Sequence, residues 1–455
     1  MDAVVDTMAR PLRRHWLVVA AIAWLAANAI LLWLYHGEPP KPLIGDEFDY
    51  NRRALALLAG TPVPETFIWP PGQTWFLAAA YRVFGTHVLA VQIVQIALLL
   101  GCAWMLMRLC RPLVGARAAT AATLLFLLNP TTIAQAHWLW PEVTHLACLL
   151  GALLLLFGSS SRHAWHAAVA GLLVGLALLF KSLLGAFWPL LLFAFVERRD
   201  GRRVVQWGGA ALFVAGLLAA TAPVLWKGYV ETGRPLIADS SIYNLDVGLA
   251  DRSRSDYIDE AGAPALKAFL ASADTPQARN ALYLDRVRET IAERGLGDVL
   301  ADQLGTQYFR LFNAKTLLVS QLPGEACAGR LGAYRATSLT PWIATGAMLW
   351  HALTLAACAF GIALWRRWRE PLALFIAAFL LYQLALYLGL HVMQRYLFQM
   401  LPFLCVFGGA VLAMRDHEAS PVLATTPARL ALGGLLAAVL LALAFLGPWL
   451  DGNCR

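Results

Sequence analysis

The feature that most limits this chain is a succession of long apolar runs separated by short arginine-bearing stretches. Residues 16–35, 75–100, 204–225, 341–365, 371–390 and 430–449 form such runs, and each reaches the roughly 20 residues that a helix needs to cross a hydrocarbon core. Shorter or broken runs occupy 118–134, 143–158, 166–180, 182–196 and 397–414. Lipid offers no partner to backbone polar groups, so runs of this length must pair them internally as helix. The expected fold class is an all-α polytopic membrane protein with about eleven transmembrane helices. Composition agrees, with 59% hydrophobic and 14% charged residues against about a quarter charged in soluble domains.

Arginine sets the orientation. Arg10, Arg13 and Arg14 precede the first run, and Arg108, Arg111 and Arg117 follow the second. Arg198, Arg199, Arg202 and Arg203 fill the turn "ERRDGRR"; Arg366, Arg367, Arg369, Arg415 and Arg429 mark later turns. These are alternate loops, so the positive-inside rule puts them and the N-terminus in the cytoplasm. Eleven spans then leave the C-terminus outside. The net charge of +8 reflects topology, which argues against a nucleic-acid surface. The first run passes through "ANA" at Ala27–Ala29 and continues to Tyr35, too long for a cleaved signal segment.

The cytoplasmic loops are too short to hold a nucleotide-binding domain. Hydrophilic length lies outside, which divides the chain into an N-terminal transmembrane module (1–225) with a first outer loop (36–74), an outer segment (226–340) and C-terminal transmembrane helices (341–455). In the first loop, Asp46 reads as the N-cap of a short helix that stops near Gly60. Tyr50, Ala54, Leu57 and Leu58 recur at helical spacing, a pattern for a helix on the membrane surface. Pro70 and Pro71 then call for an extended approach to the bilayer. In the second segment Leu284, Val287 and Ile291 line one amphipathic helix, and Leu300, Leu304, Tyr308 and Leu311 another after "RGLG". A small, mostly helical cap is expected there. Cys102, Cys110, Cys148, Cys358 and Cys405 fall in or beside spans as buried hydrophobes; only Cys327 and Cys454 lie outside them. No spacing matches a metal site.

Charged residues in this setting are the candidate site. "GDEFDY" places Asp46, Glu47 and Asp49 where the first span surfaces, either as cap and hydration or as chemistry. Glu142 begins the fourth span directly after Pro141, a proline position suited to a helix start, and His145 follows one turn on. Lys181 interrupts about thirty apolar residues in "GLALLFKSLLGAFWPLLLFAF", where a charge at bilayer centre costs roughly 2.5–3.5 kcal/mol. His391 and Arg395 reach the same face in "HVMQRYLFQMLPFL". Cations and carboxylates converging on the outer face suit an anionic donor carried by the membrane itself.

The stretches "GDEFDY…ALALLAG…WPPGQTWFLAAAYRVFG", "GLALLFKSLLGAFWPLLL" and "QRYLFQMLPFL" resemble the polyprenyl-phosphate-sugar-dependent glycosyltransferases of the C-type membrane fold. These include the protein O-mannosyltransferase-like family 39 and the lipid A aminoarabinose and galacturonic acid transferases. The resemblance covers residues 15–200 well and 370–410 moderately. It implies that Asp46 is the essential acid of the first outer loop, with Glu47 beside it and Glu142 as a second carboxylate. It also implies that Lys181 and Arg395 bind the donor phosphate. Aminoarabinose transferases carry a lysine before the paired prolines; here Trp69 stands there, an aromatic able to stack on a sugar face. His145 and His391 complete the candidate sugar and acceptor contacts.

The implied reaction transfers a sugar from a polyprenyl monophosphate to an acceptor hydroxyl, with inversion. Asp46 would act as general base, and the reaction would need no metal or other cofactor. The implied partners are a lipid-linked sugar donor and a periplasmic glycan, lipid A or protein acceptor, at the inner membrane of a bacterium, with the active site periplasmic. Two rivals remain open at this point: a lipid or solute transporter (flippase), and a glycan ligase or polymerase of similar fold using a diphosphate-linked donor.

Overall fold

The computed structural model describes residues 2–37, 43, 45–63, 68–158, 164–199, 202–254, 263–314, 340–414 and 422–451. Cys327 and Cys454 lie outside them. The first apolar run is one unbroken helix, α1 (Asp2–Tyr35), straight through Ala27–Ala29. The second does not form the single span expected over 75–100. It splits into α3 (Gly72–Phe84) and α4 (Val88–Leu127) around Gly85, whose φ of 82° ends α3. The expected loop carrying Arg108, Arg111 and Arg117 is helical as well. Its break is confined to Gly115, at φ 82° and ψ 171°, a conformation only glycine adopts readily.

The short helices α5 (Pro130–Gln135), α6 (Glu142–Phe157) and α7 (Ala164–Phe180) follow. The run 182–196 forms 3₁₀ turns over Ser182–Leu184 and Trp188–Phe195 in place of the expected α-helix. The arginine turn after it becomes a two-stranded antiparallel ribbon, β1 (Val196–Arg199) with β2 (Arg202–Val205). α8 is Trp207–Thr232. α7 and α8 approach closely because glycine stands at the crossing. A Cβ on Gly171 would lie 1.8 Å from the Phe213 carbonyl oxygen, and one on Gly216 would lie 2.0 Å from that of Ala168. Small residues that let backbones meet are how helices associate in lipid.

The outer segment is helical where described, in α9 (Ser241–Ala250), α10 (Ala263–Ala271), α11 (Pro276–Arg294) and α12 (Leu296–Phe312). The break expected at "RGLG" falls at Gly295, φ 80°. The faces differ from expectation. Val287, Tyr308 and Leu311 turn inward, but Leu284, Leu300 and Leu304 are exposed. The C-terminal helices are α13 (Thr340–Leu364), α14 (Pro371–Gly389), α15 (Leu397–Leu412) and α16 (Pro427–Leu450).

Among the described residues seven helices are long and apolar enough to cross a membrane, and α6 and α7 are apolar but shorter. The core is built from α4, α6, α7, α13, α14 and α15. α15 is its axis, since every residue from Leu397 to Ala410 is buried, as expected of a helix apolar on all sides. Cys102, Cys110, Cys358 and Cys405 are buried and Cys148 is partly so.

Candidate active site

Three carboxylates open α2 (Asp46–Ala59), favoured there by the helix dipole. Gly45, at φ 52°, is the N-cap residue, so Asp46 is the first helical residue rather than the cap, and no side chain caps this helix. Leu58 is half-buried and Leu57 exposed, while Tyr50 and Ala54 pack on Leu77, Ala78 and Tyr81 of α3. Tyr81 Oη also donates to Asn51 Oδ1 at 2.6 Å. α2 therefore lies against α3, not simply on the membrane. The paired prolines adjoin that helix directly. Pro71 is its N-cap, in helical conformation, so the chain turns into α3 at the second proline itself.

Residues 136–141 precede Glu142 without regular helix, and their backbone needs partners in an apolar setting. Glutamines from neighbouring helices supply them. Gln95 Nε2 donates to the carbonyls of Ala136 and Trp138 at 3.0 and 2.8 Å. Gln92 Nε2 donates to that of His137 at 3.0 Å, and Gln73 Nε2 to that of Leu139 at 3.0 Å. Glu47 belongs to this scaffold. It is fully buried and its Oε1 accepts from the Leu139 N–H at 3.2 Å, behind the cleft wall rather than in it. Glu142 emerges as the first residue of α6, with Pro141 just ahead at the N-cap position.

Lys181 leaves the end of α7 in extended conformation. Its N–H donates to the Ala177 carbonyl at 2.9 Å, and His145 Nδ1 lies 2.9 Å from the same oxygen. His145 is thus a buried strut between α6 and α7, and neither reaches Glu142 nor lines the cleft. Gly72 brings α3 onto this turn, since a Cβ there would lie 2.6 Å from the Leu179 carbonyl oxygen.

The segment before α15 carries the second cation. It is pinned by the Val392 N–H to Gln307 Oε1 at 3.0 Å, the His391 N–H to the Asn244 carbonyl at 2.9 Å, and Gln394 Nε2 to the Asn313 carbonyl at 3.1 Å. Burial first, then the Arg310 and Arg395 cations, hold the His391 imidazole well below its ordinary pKa, so the ring is neutral.

These four charges meet. Arg395 donates to Asp46 Oδ2, and its Nε lies 3.6 Å from Glu142 Oε1. Lys181 Nζ donates to the same Glu142 oxygen at 2.9 Å. The cations also rest on aromatic faces, Lys181 Nζ 4.0 Å from the Tyr396 ring centre and Arg395 Cζ 4.3 Å from that of Trp140, which favours cations at this range. The Glu142 side chain is fully buried, while that of Asp46 is 28% exposed. The cluster opens on a solvent-open cleft whose empty space is roughly 730 Å³, open solvent included.

Asp46, Glu142, Lys181, Arg395, Trp69 and His391 all line it. So do residues that sequence reasoning passed over: Tyr50, Tyr387, Tyr396, Ser240, Ser241 and Asn244. Tyr396 was signalled by adjoining Arg395; the others carry no local signature. Burial and the neighbouring Asp46 and Glu142 carboxylates push the Tyr50 phenol far up, so it is a hydrogen-bonding group and not a base. Among the described residues no cluster of three or more His, Cys, Asp or Glu is placed to hold a metal.

Comparison with curated proteins finds none similar in sequence. Among solved structures, ArnT from Cupriavidus metallidurans bound to undecaprenyl phosphate is 16% identical with a TM-score of 0.40, over 87% of this chain and 77% of that one. The archaeal oligosaccharyltransferase AglB from Archaeoglobus fulgidus, in complex with an inhibitory peptide and a dolichol-phosphate, is 12% identical with a TM-score of 0.47, over 97% of this chain. The chain spans only about half of AglB, 56% of its length. Residues 69–226 match the family described as dolichyl-phosphate-mannose-protein mannosyltransferase. That region holds Trp69, Glu142, His145 and Lys181, and over it the resemblance to polyprenyl-phosphate-dependent glycosyltransferases of the C-type fold is borne out.

Proposed function

We propose that this protein is a membrane glycosyltransferase that moves a sugar from a polyprenyl-phosphate donor to an acceptor hydroxyl at the outer face of the membrane, with inversion. The observation that carries the reading is the contact of two cations and two carboxylates at the mouth of a cleft, at one end of an apolar bundle. Charges at one end suit a reaction at the membrane surface better than a transporter site, which lies near mid-bilayer.

The roles follow from exposure. A donor phosphodiester carries one negative charge, and the departing polyprenyl phosphate gains a second as the C1–O bond breaks. Lys181 and Arg395 are the groups that meet that charge. Glu142, buried against both, keeps them in place. Asp46 is the accessible carboxylate. Phosphate arriving at Arg395 competes with it for the guanidinium and so frees it to take the acceptor proton as the hydroxyl oxygen attacks C1. Trp69 presents an aromatic body to the cleft, and its indole N–H is buried without a hydrogen-bond partner in the described structure, which suits a sugar hydroxyl. Two fixed cations supply the charge that a metal would otherwise bring. The acceptor is a periplasmic glycan, lipid A or protein, and the setting a bacterial inner membrane.

The test is to incubate purified protein with a panel of polyprenyl-monophosphate hexoses and pentoses and follow donor consumption. One donor consumed by the parent and spared by Asp46→Asn supports the reading. Consumption of none, or of diphosphate-linked donors only, overturns it.

A further inference from the structure

α12 carries an exposed apolar stripe beside its buried face. Alongside Val299, Leu311 and Phe312, that buried face carries four polar residues, Gln303, Thr306, Gln307 and Arg310, at most 4% exposed. Each has structural work except Thr306. Gln303 and Gln307 donate to the Gly248 carbonyl at 2.8 and 3.1 Å, and Arg310 pairs with buried Asp251 at 2.7 Å. Next to the buried face Leu296, Leu300 and Leu304 are 59%, 38% and 46% exposed, with Asp298 and Asp302 on the far side of the helix. Four-residue spacing makes the leucines one stripe, and the stripe continues into Tyr308 and Leu311.

Its two halves have different surroundings. At the C-terminal half, Tyr308 Oη donates to the Leu384 carbonyl of α14 at 2.9 Å, and Leu311 is fully buried in the core. Beyond the end of α12, the Ala314 N–H donates to the Ala444 carbonyl of α16 at 2.8 Å. The apolar face that seats on two spans thus runs on past their edge. The end of α16 beside it exposes Leu446, Trp449 and Leu450 at 44%, 69% and 47%, and tryptophan at a span end marks the membrane interface.

We propose that the N-terminal half of α12 lies in the outer leaflet, with Leu296, Leu300 and Leu304 among the lipid acyl chains, so that lipid is the occupant of this open face. It rests on reading α14 and α16 as membrane spans. One consequence is mechanical. The same helix holds Val392 through Gln307 and α9 through Gly248, and those elements carry His391, Ser241 and Asn244 of the cleft. Lipid contact at α12 therefore fixes the cleft wall at the depth where a lipid-borne phosphate arrives.

The experiment uses full-length protein with Cys327 and Cys454 replaced by serine, in nanodiscs of phosphatidylethanolamine and phosphatidylglycerol. A nitroxide is attached at Leu300→Cys or, separately, at Leu304→Cys, with Arg288→Cys on the exposed side of α11 as the aqueous control. Collision with oxygen and with a water-soluble nickel chelate is then read from power saturation. Nitroxides at 300 and 304 favouring oxygen, with the control favouring nickel, support lipid contact. Nickel access at 300 and 304 equal to the control overturns it, as does shielding from both reagents, which would mean a protein cover. No substrate is involved, so this outcome is separable from that of the transferase assay.

Discussion

Arg395 and Asp46 are ion-paired although 349 positions separate them in the chain. The pair joins the start of α2 to the segment before α15. Arg395 also lies against Glu142 at 3.6 Å, so one guanidinium binds together carboxylates from two otherwise separate helix starts.

Asp46→Asn keeps the shape of the side chain and removes its capacity to take a proton. Turnover is expected to fall by at least about a hundredfold, the scale of a lost general base. The melting temperature should move little, because Asp46 caps no helix. Asp49→Asn is the control, since Asp49 pairs with Arg52 at 3.3 Å near the surface. Equal turnover in the two variants would remove Asp46 from the mechanism.

Arg395→Ala and Lys181→Ala take away the cations assigned to the departing phosphate. Loss of one such group costs about 10²–10³ in turnover, and donor binding should weaken with it. Isothermal titration with a polyprenyl monophosphate reads the binding half. Unchanged affinity in both variants would separate these cations from the phosphate.

Glu142→Ala leaves two cations facing each other in a buried place. Breaking a buried pair in this way is expected to destabilise by about 3–5 kcal/mol, seen as a large fall in melting temperature. Glu47→Ala should act on stability alone, by roughly 1–3 kcal/mol for the stranded Leu139 N–H, with donor affinity retained.

Gly72→Ala drives a methyl to within 2.6–2.9 Å of the Leu179 and Phe180 backbone at the end of α7, immediately before Lys181. Overpacking of this kind costs about 1–3 kcal/mol. The donor KM is expected to rise more than for Gly101→Ala, where a Cβ meets nothing within 4 Å.

His391 supplies a pH dependence. Its folded pKa is below the unfolded value, so the fold favours the neutral ring. Stability from this source is complete above the unfolded value, about 6.5, and is lost as pH falls below it toward the lower folded pKa. The melting temperature should therefore drop on acidification through that window, and His391→Asn should flatten the profile. An unchanged slope in the variant would assign the acid sensitivity to other groups.

The sequence by itself determined most of the apolar helices, though not the split at Gly85 or the 3₁₀ turns of 182–196, and the residue types of the site. Span length is set by the bilayer and a lone charge in an apolar run is costly, so Lys181, Glu142 and Arg395 stand out without any structure. Gly60 and Gly295 stop their helices where the pattern said, because a backbone conformation open to glycine is a local property. Tertiary structure decided how the carboxylates divide. Asp46 and Glu47 are neighbours in sequence, yet the helical turn of about 100° between them sends one to Arg395 and the other to the Leu139 N–H. It also decided that His145 braces α7, that Ser240, Ser241 and Asn244 join the cleft, and that the leucines of α12 face outward. Partners for those groups come from elements far away in sequence, and no local periodicity encodes which side of a helix a distant span will cover.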